Sequence, residues 1–314
     1  MADRESNRPI VLAVPGFEAA NVAQAMRATF PHRAILSWPE HDADAEALVV
    51  FRPPPGIFAA LPRLRLVHAS GAGVDHIFRA ADLPADVPVC RVIDPAPALA
   101  MARHVVHAVL HILGNHSRYA EQQRESLWKR LPPRALPASR VAVLGMGSMG
   151  QAAARALASL GLPVTGWSRT KRDLEGIATA HGMAALDGVL ASADVAVVLL
   201  PMTAETEGLL DARRLALMPP GAAIVAAGRG HQVVEADLVA ALDAGHLSAA
   251  HCDVFATEPL PADSPLWQHP RITITPHIAS PPDSAALARS VAAALAALDA
   301  GETPPGLADR MRGY

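Results

Sequence analysis

The sequence predicts an α/β protein of two doubly wound parallel sheets with a cleft between them, and three observations carry that prediction. Short apolar strands alternate with helical stretches along the chain, the pattern of parallel α/β folds. A glycine-rich turn, Gly145-Met146-Gly147-Ser148-Met149-Gly150, stands between an apolar strand and a helical run near mid-chain. A proline cluster, Pro132-Pro133-Arg134-Ala135-Leu136-Pro137, cannot continue a helix and separates what precedes it from a new unit.

Taken in order, Ile10–Val14 reads as a strand, Ala19–Thr29 as a helix and Ala47–Phe51 as a strand. Leu66–His68 is a short strand that runs into the loop Ser70-Gly71-Ala72-Gly73-Val74-Asp75, and Val87–Arg91 is one more. A long helix is expected over Leu99–Trp128, ahead of the prolines. Beyond them, strands are expected at Val141–Leu144, Pro163–Trp167, Val195–Leu200, Ala222–Ala226, Ala249–Asp253 and Ile272–Thr275, with helices in the gaps. Pro281-Pro282 suits a helix start, and the Ala-rich stretch Ala285–Ala300 reads as a packed helix that returns to the first domain. The expected division is therefore residues 1–102 with 282–314 as one domain, and 103–281 as the other.

The 314 residues suit two domains, and 51 % apolar against 18 % charged is enough to fill two cores. Aromatics are only 4 %, so Ala, Val and Leu must do most of the packing. A net charge of −3 leaves no basic excess to neutralise phosphates, so no nucleic-acid partner is expected. Cys90 and Cys252 stand far apart, which argues against a disulfide framework and for a reducing, cytoplasmic setting. Met1–Ser6 lacks the apolar core of a signal peptide, and no apolar run is expected to reach the length of a membrane span.

The glycine turn gains meaning from its place between Val141–Leu144 and the helical run Gln151–Leu160. In such a strand–turn–helix unit, Gly145 permits the tight turn, Gly147 lets backbone approach a pyrophosphate, and Gly150 lets helix and strand pack closely. The helix N-terminus then offers N–H groups and positive potential to the phosphates. This is the fingerprint of a Rossmann-like dinucleotide-binding domain, and Gly145, Met146, Gly147, Ser148, Met149 and Gly150 are its candidate contacts. An NAD site wants a carboxylate about 20 residues after the first glycine. Here the sequence reads Trp167-Ser168-Arg169-Thr170-Lys171-Arg172, with no acid before Asp173. Cations among hydroxyls suit a 2′-phosphate, so NADP(H) is the expected cofactor, held by Ser168, Arg169, Thr170 and Lys171.

Three further segments each follow an expected strand of this unit, where open parallel sheets bind ligands. They are Ala227-Gly228-Arg229-Gly230, Cys252-Asp253-Val254-Phe255-Ala256-Thr257-Glu258-Pro259-Leu260 and Thr275-Pro276-His277-Ile278-Ala279. In order and surroundings they resemble the D-2-hydroxyacid dehydrogenase family. Gly71-Ala72-Gly73-Val74-Asp75, Ser264–Pro270 and Asp309–Tyr314 resemble in particular its members that reduce glyoxylate and hydroxypyruvate.

The resemblance implies NADPH-dependent reduction of a small 2-oxo acid. Arg229 would bind the substrate carboxylate and polarise the keto oxygen, a task for a permanent charge with forked donors. His277 would be the general acid, and Glu258 would orient it and favour the imidazolium. Asp253 and His277 match positions near the nicotinamide, and Leu200, Pro201, Ala227 and Gly228 match further cofactor contacts. Ala72 and Gly73 match a loop whose backbone N–H groups meet the substrate carboxylate. The partners implied are a small 2-oxo acid and a second copy of the chain in a homodimer.

Two stretches depart from the usual pattern: Ala226 where a polar residue is common, and Leu99-Ala100-Met101-Ala102-Arg103 where acids or amides are common. Two other readings stay open on the sequence. One is a relative acting on larger oxo acids or with NAD; the other is a dinucleotide-sensing, corepressor-like interaction protein. His104, His107 and His111 share one helix face, but without companion ligands they read as partly buried, hydrogen-bonded histidines, and no metal is expected.

Overall fold

Among the described residues (7–310 without 15, 72, 93–94, 133 and 281–282), the strands of this computed structural model pair in parallel, in two sheets. The chain divides into two units, residues 1–94 with 281–314 and residues 95–280.

The first unit holds β1 (Ile10–Ala13), α1 (Gly16–Thr29), β2 (Ile35–Ser37), β3 (Ala47–Val50), α2 (Ile57–Ala60), β4 (Leu66–Ala69), α3 (Asp75–Phe78) and β5 (Val89–Cys90). Its sheet runs β2-β1-β3-β4-β5. Parallel strands need cover on both faces, and both are supplied. Val22 and Met26 of α1 and Leu287, Val291 and Leu295 of the final helix, Ser284–Asp299, pack on one face. Ile57, Phe58, Leu61, Val74 and Ile77 close the other. The final helix starts at an Asp283 cap, whose carboxylate accepts from the N–H groups of Ala285 and Ala286 at 2.9 and 3.2 Å. The expected Pro281-Pro282 start lies outside the described residues.

The second unit holds α4 (Pro95–Leu113), α5 (His116–Arg124), β6 (Val141–Leu144), α6 (Ser148–Ser159), β7 (Val164–Ser168), β8 (Ala178–His181), α7 (Met183–Ala191), β9 (Val195–Val198), α8 (Ala212–Leu217), β10 (Ala222–Ala226), α9 (Glu235–Asp243), β11 (Leu247–Cys252) and β12 (Ile272–Ile274). The sheet order β12-β11-β10-β9-β6-β7-β8 reverses direction of growth between β9 and β6, so their carboxyl ends flank the crevice where such sheets take ligands. Alternation along each strand serves two cores. Val141, Val143, Val195, Val197 and Val225 face α4 and α6. Leu144, Val198, Ile224 and Ala226 face α7, α8 and α9.

The expected helix over Leu99–Trp128 is not one helix. It begins earlier, at Pro95, and stops at Leu113 because Asn115 takes a left-handed turn with φ 55°. Asn tolerates that conformation better than most residues, and Gly114 before it weakens helix continuation. A second left-handed residue, Ser126 at φ 54°, follows the end of α5, so Trp128 is not helical. Two strands had no clear signal. β2 has three residues, and β8, the far strand of its sheet, has no buried residue.

The expectation about apolar runs also needs correction. Ala96–Leu113 is long and apolar enough to cross a membrane by length and composition alone. In the fold, Met101, Val105, Ala108, Val109 and Ile112 of this helix are buried in the core beneath α6.

His104, His107 and His111 of α4 gather around His251 of β11, with ring centroids 5.1, 6.2 and 6.4 Å from it. Of these, His111 is hydrogen-bonded as expected, through Nε2 to Ser117 Oγ at 2.8 Å. His104 Nε2 and both ring nitrogens of His251 are buried without a hydrogen-bond partner. Among the described residues, no three His, Cys, Asp or Glu side chains are arranged to hold a metal ion.

Burial pushes the His251 imidazole down to about 3, helped by repulsion from its histidine neighbours. Burial likewise takes His68 down to about 4. On unfolding both return toward 6.5, so the unfolded chain binds more protons as pH falls below that value. Stability from these groups is complete above pH 6.5 and is lost as pH drops toward their folded values. His251→Phe removes one such group. It should make the fall in unfolding free energy between about pH 6 and 4 shallower by about 1.4 kcal/mol per pH unit. Urea unfolding across that range measures it, and an unchanged slope would contradict the assignment.

Candidate active site

The glycine turn sits directly after β6, and its glycines are required for different reasons. Gly145 has φ 107°, and a Cβ there would stand 2.5 Å from the Leu199 carbonyl oxygen. A Cβ on Gly150 would fall 1.7 Å from the Gly145 oxygen, so only glycine lets α6 meet the turn. At Gly147 a Cβ would meet nothing within 4 Å. That glycine, with Ser148, is exposed at the start of α6, whose first N–H groups have no acceptor inside the helix. Open space before unpaired donors at a twelve-residue helix fits a dinucleotide pyrophosphate. Met146 differs: its side chain is buried, and its sulfur would stand 2.5 Å from a Cβ on Gly166, so it packs under the turn. Met149 is partly buried against the same core.

At the end of β7, Ser168 is buried and its hydroxyl donates to the Thr170 carbonyl at 2.7 Å, closing the turn. Arg169, Thr170, Lys171 and Arg172 are exposed. Arg169 lies 3.8 Å from Glu205 and Lys171 lies 3.7 Å from Asp173. The exposed donors of this loop are therefore those of Arg169, Thr170, Lys171 and Arg172, while the Ser168 hydroxyl hydrogen is taken by the turn.

Arg229 follows β10 in a segment clamped on both sides. A Cβ on Gly228 would meet Gln232 Oε1 at 2.6 Å, and one on Gly230 would meet the Phe255 carbonyl carbon at 1.9 Å. The half-buried guanidinium donates from Nη1 to the Gly228 carbonyl at 2.9 Å. Gln232, fully buried, accepts from the Arg229 N–H at 3.0 Å and donates to the carbonyls of Leu200 and Pro201 at 2.8 and 3.0 Å. It thus fastens the arginine segment to the segment after β9. Leu200 and Ala227 are buried while Pro201 is exposed.

His277 follows β12 with a left-handed backbone, φ 55°, which a non-glycine residue holds only when its surroundings impose it. Asp253 imposes it. The carboxylate is fully buried and accepts from Thr275 Oγ1 at 2.6 Å and from the N–H groups of Ile278 and Ala279 at 2.9 and 2.8 Å. Its carbonyl accepts from the His277 N–H at 2.9 Å. The imidazole then meets Glu258, Nδ1 to Oε2 at 2.9 Å, while Glu258 Oε1 accepts from the Phe255 N–H at 2.9 Å. Glu235 braces the same loop by accepting from the Ala256 N–H at 2.8 Å. Thr275 opens the segment that carries His277 but has no role assigned from the sequence, and Gln232 and Glu235 have only their nearness to the motifs to mark them.

All of these residues belong to the second unit. Gly73 is half-buried in the turn between β4 and α3 of the first, and Ala72 lies outside the described residues.

An open helix start behind a glycine turn and an imidazole–carboxylate pair at the carboxyl ends of the same parallel sheet are the features of a dinucleotide-binding domain with acid–base equipment. Comparison with known proteins gives the family. Residues 106–279 match the model for the NAD binding domain of D-isomer specific 2-hydroxyacid dehydrogenases. A glyoxylate/hydroxypyruvate reductase A from Yersinia enterocolitica is 36 % identical over 311 residues, covering 97 % of this chain and 99 % of its own. A D-isomer specific 2-hydroxyacid dehydrogenase from Xanthobacter autotrophicus, crystallised with NADPH and MES, superposes with TM-score 0.89 at 39 % identity, covering 98 % of this chain and 99 % of its own. An NADPH-dependent glyoxylate/hydroxypyruvate reductase from Sinorhizobium meliloti, crystallised with NADP and sulfate, gives 0.90 at 33 % identity, covering 98 % and 100 %. The chain belongs to the D-isomer specific 2-hydroxyacid dehydrogenase family.

The hold of Asp253 on its loop can be tested through stability. Asp253→Asn places an amide among three donors and should cost about 1–3 kcal/mol of unfolding free energy. Thr275→Val removes one donor and leaves the other two paired, so its cost should be smaller. Denaturant unfolding of both variants decides; a Thr275→Val loss equal to or above that of Asp253→Asn would place the hold elsewhere.

Proposed function

We propose that this protein is an NADPH-dependent reductase of small 2-oxo acids, glyoxylate and hydroxypyruvate in particular, acting as a homodimer. The observation that carries the proposal is the 2.9 Å pair of His277 Nδ1 and Glu258 Oε2 beside the arginine segment, on the sheet edge that also bears the glycine turn. Its relatives' names and their crystallised cofactors support the same reading.

Bound reduced cofactor supplies a hydride to the keto carbon. The chain's own residues supply the rest. Arg229 pairs with the substrate carboxylate, where a planar fork fixes orientation as well as charge. Glu258 accepts from Nδ1 and so assigns Nε2 of His277 to the substrate oxygen. Protonated, the ring can give its proton from Nε2 as the oxygen gains charge. Asp253 keeps that ring on station through the backbone of Ile278 and Ala279. On the cofactor side, Gly147 and the first turn of α6 receive the pyrophosphate, and Arg169, Thr170 and Lys171 receive the 2′-phosphate.

Two measurements test this reading. Arg229→Lys keeps the charge but loses the fork, and should lower kcat/KM for glyoxylate by about 2–3 kcal/mol of transition-state stabilisation. Parent-like turnover by that variant would remove Arg229 as the carboxylate anchor. Saturation curves with both cofactors should favour NADPH over NADH by about tenfold or more, and Arg169→Ala should raise KM for NADPH while leaving that for NADH nearly unchanged. Equal use of the two cofactors by the parent protein would reduce the basic loop to a solvated surface.

A further inference from the structure

We infer that Glu205 sets the strength with which the protein discriminates between the two dinucleotides, by competing with the 2′-phosphate for Arg169. The inference rests on the NADPH reading above and adds a residue that neither the glycine fingerprint nor the catalytic motifs contain.

The strand order supplies the geometry. β9 and β7 lie on either side of β6, whose carboxyl end is the glycine turn. Arg169 is the first residue after β7, and Glu205 lies on the segment that follows β9. Their contact at 3.8 Å therefore spans the end of β6, across the approach to the turn. The segment that carries Glu205 is not loose. Thr206 is buried, its hydroxyl donates to the Pro201 carbonyl at 2.8 Å and accepts from the Thr203 N–H at 2.9 Å. Gln232 holds the Pro201 carbonyl from the other side at 3.0 Å. Glu205 thus stands on a pinned turn, while its own side chain is 63 % exposed and that of Arg169 is 52 % exposed.

An exposed pair of this kind is weak enough to open and strong enough to matter. A 2′-phosphate brings close to two negative charges to the guanidinium and must displace the carboxylate, which then repels it. A dinucleotide with a 2′-hydroxyl leaves the pair intact. Glu205 consequently weakens NADP(H) binding selectively and leaves NAD(H) binding alone. The acid that dinucleotide sites place at the end of their second strand is absent here. One from a neighbouring segment moderates the basic loop instead.

The test is isothermal titration of the full-length protein with NADP+ and with NAD+, for the parent, Glu205→Gln, Glu205→Lys and Arg169→Ala. Glu205→Gln should tighten NADP+ binding by about threefold to fivefold and leave NAD+ within experimental error. Glu205→Lys should tighten it further, about tenfold. Both gains should vanish near 1 M salt, where the screening length is about 3 Å. Unchanged thermal melts of the variants confirm that an exposed side chain has been altered without loss of fold. If the parent prefers NADP+ and Arg169→Ala abolishes that preference, but neither Glu205 variant alters it, the role of Glu205 is overturned and the cofactor reading stands. Equal tightening toward NAD+ overturns it as well. A parent that binds both dinucleotides alike, with no response to Arg169→Ala, overturns the cofactor reading and the role of Glu205 together.

Discussion

The buried carboxylate of Asp253 is the constraint on which the geometry of the acid–base pair depends. An ionised group removed from water is costly unless donors surround it, and here a hydroxyl and two backbone N–H groups do so. All come from residues 275–279, so satisfying the charge fixes the path of the chain on both sides of His277. The left-handed backbone of that histidine is the local cost, offset by the ring meeting Glu258. Glu258 is held in turn by the Phe255 N–H, in the loop that Asp253 begins. Placement of the imidazole is thus a property of β11 and β12 together, since neither strand alone positions it.

Close approach of backbones is the second theme, and small residues make it possible. β6, β9, β10 and β11 end in segments that nearly touch: Gly145 against Leu199, Gly228 against Leu200, Gly230 against Phe255. Side chains at those glycines would push apart the loops that carry the turn, the arginine and the glutamate. Beneath them, Ala153, Ala154 and Leu157 of α6 pack against the valines of the sheet with almost no aromatic residue in that core. The low aromatic content is therefore no weakness, because closely approaching helices and strands need little volume between them.

Charge is arranged differently at the two ends of the site. Around His277 the carboxylates are buried or nearly so, and each has named donors. At the basic loop Arg169 and Lys171 each stand beside an exposed acid, where water and salt keep the interactions weak. Strong local fields thus belong to the proposed proton transfer, and adjustable ones to the proposed discrimination between cofactors. His251, His104 and His111 form a third environment, in which burial favours neutral rings and ties stability to mild acid rather than to the reaction.

Much of this was legible in the sequence. Alternating apolar segments define most of the parallel strands, because a strand covered on both faces must be apolar throughout. The glycine turn and the Arg229, Glu258 and His277 segments announce themselves because each needs particular residue types next to a strand end. What the sequence left open depends on contacts distant in the chain. The break at Asn115 turns on one residue's backbone, and β2 and β8 are too short or too exposed to carry an apolar signal. Met146 suits packing even within the glycine turn, but that Gly166 is what it packs against is known only from the fold. Gln232 and Glu205 are ordinary polar residues along the chain, and Thr275 stands beside its motif's histidine with no mark of its role. Only the pairing of β6 with its neighbours and of β11 with β12 brings them beside the site, because a hydrogen bond or ion pair acts over a few ångströms in space whatever the separation in sequence.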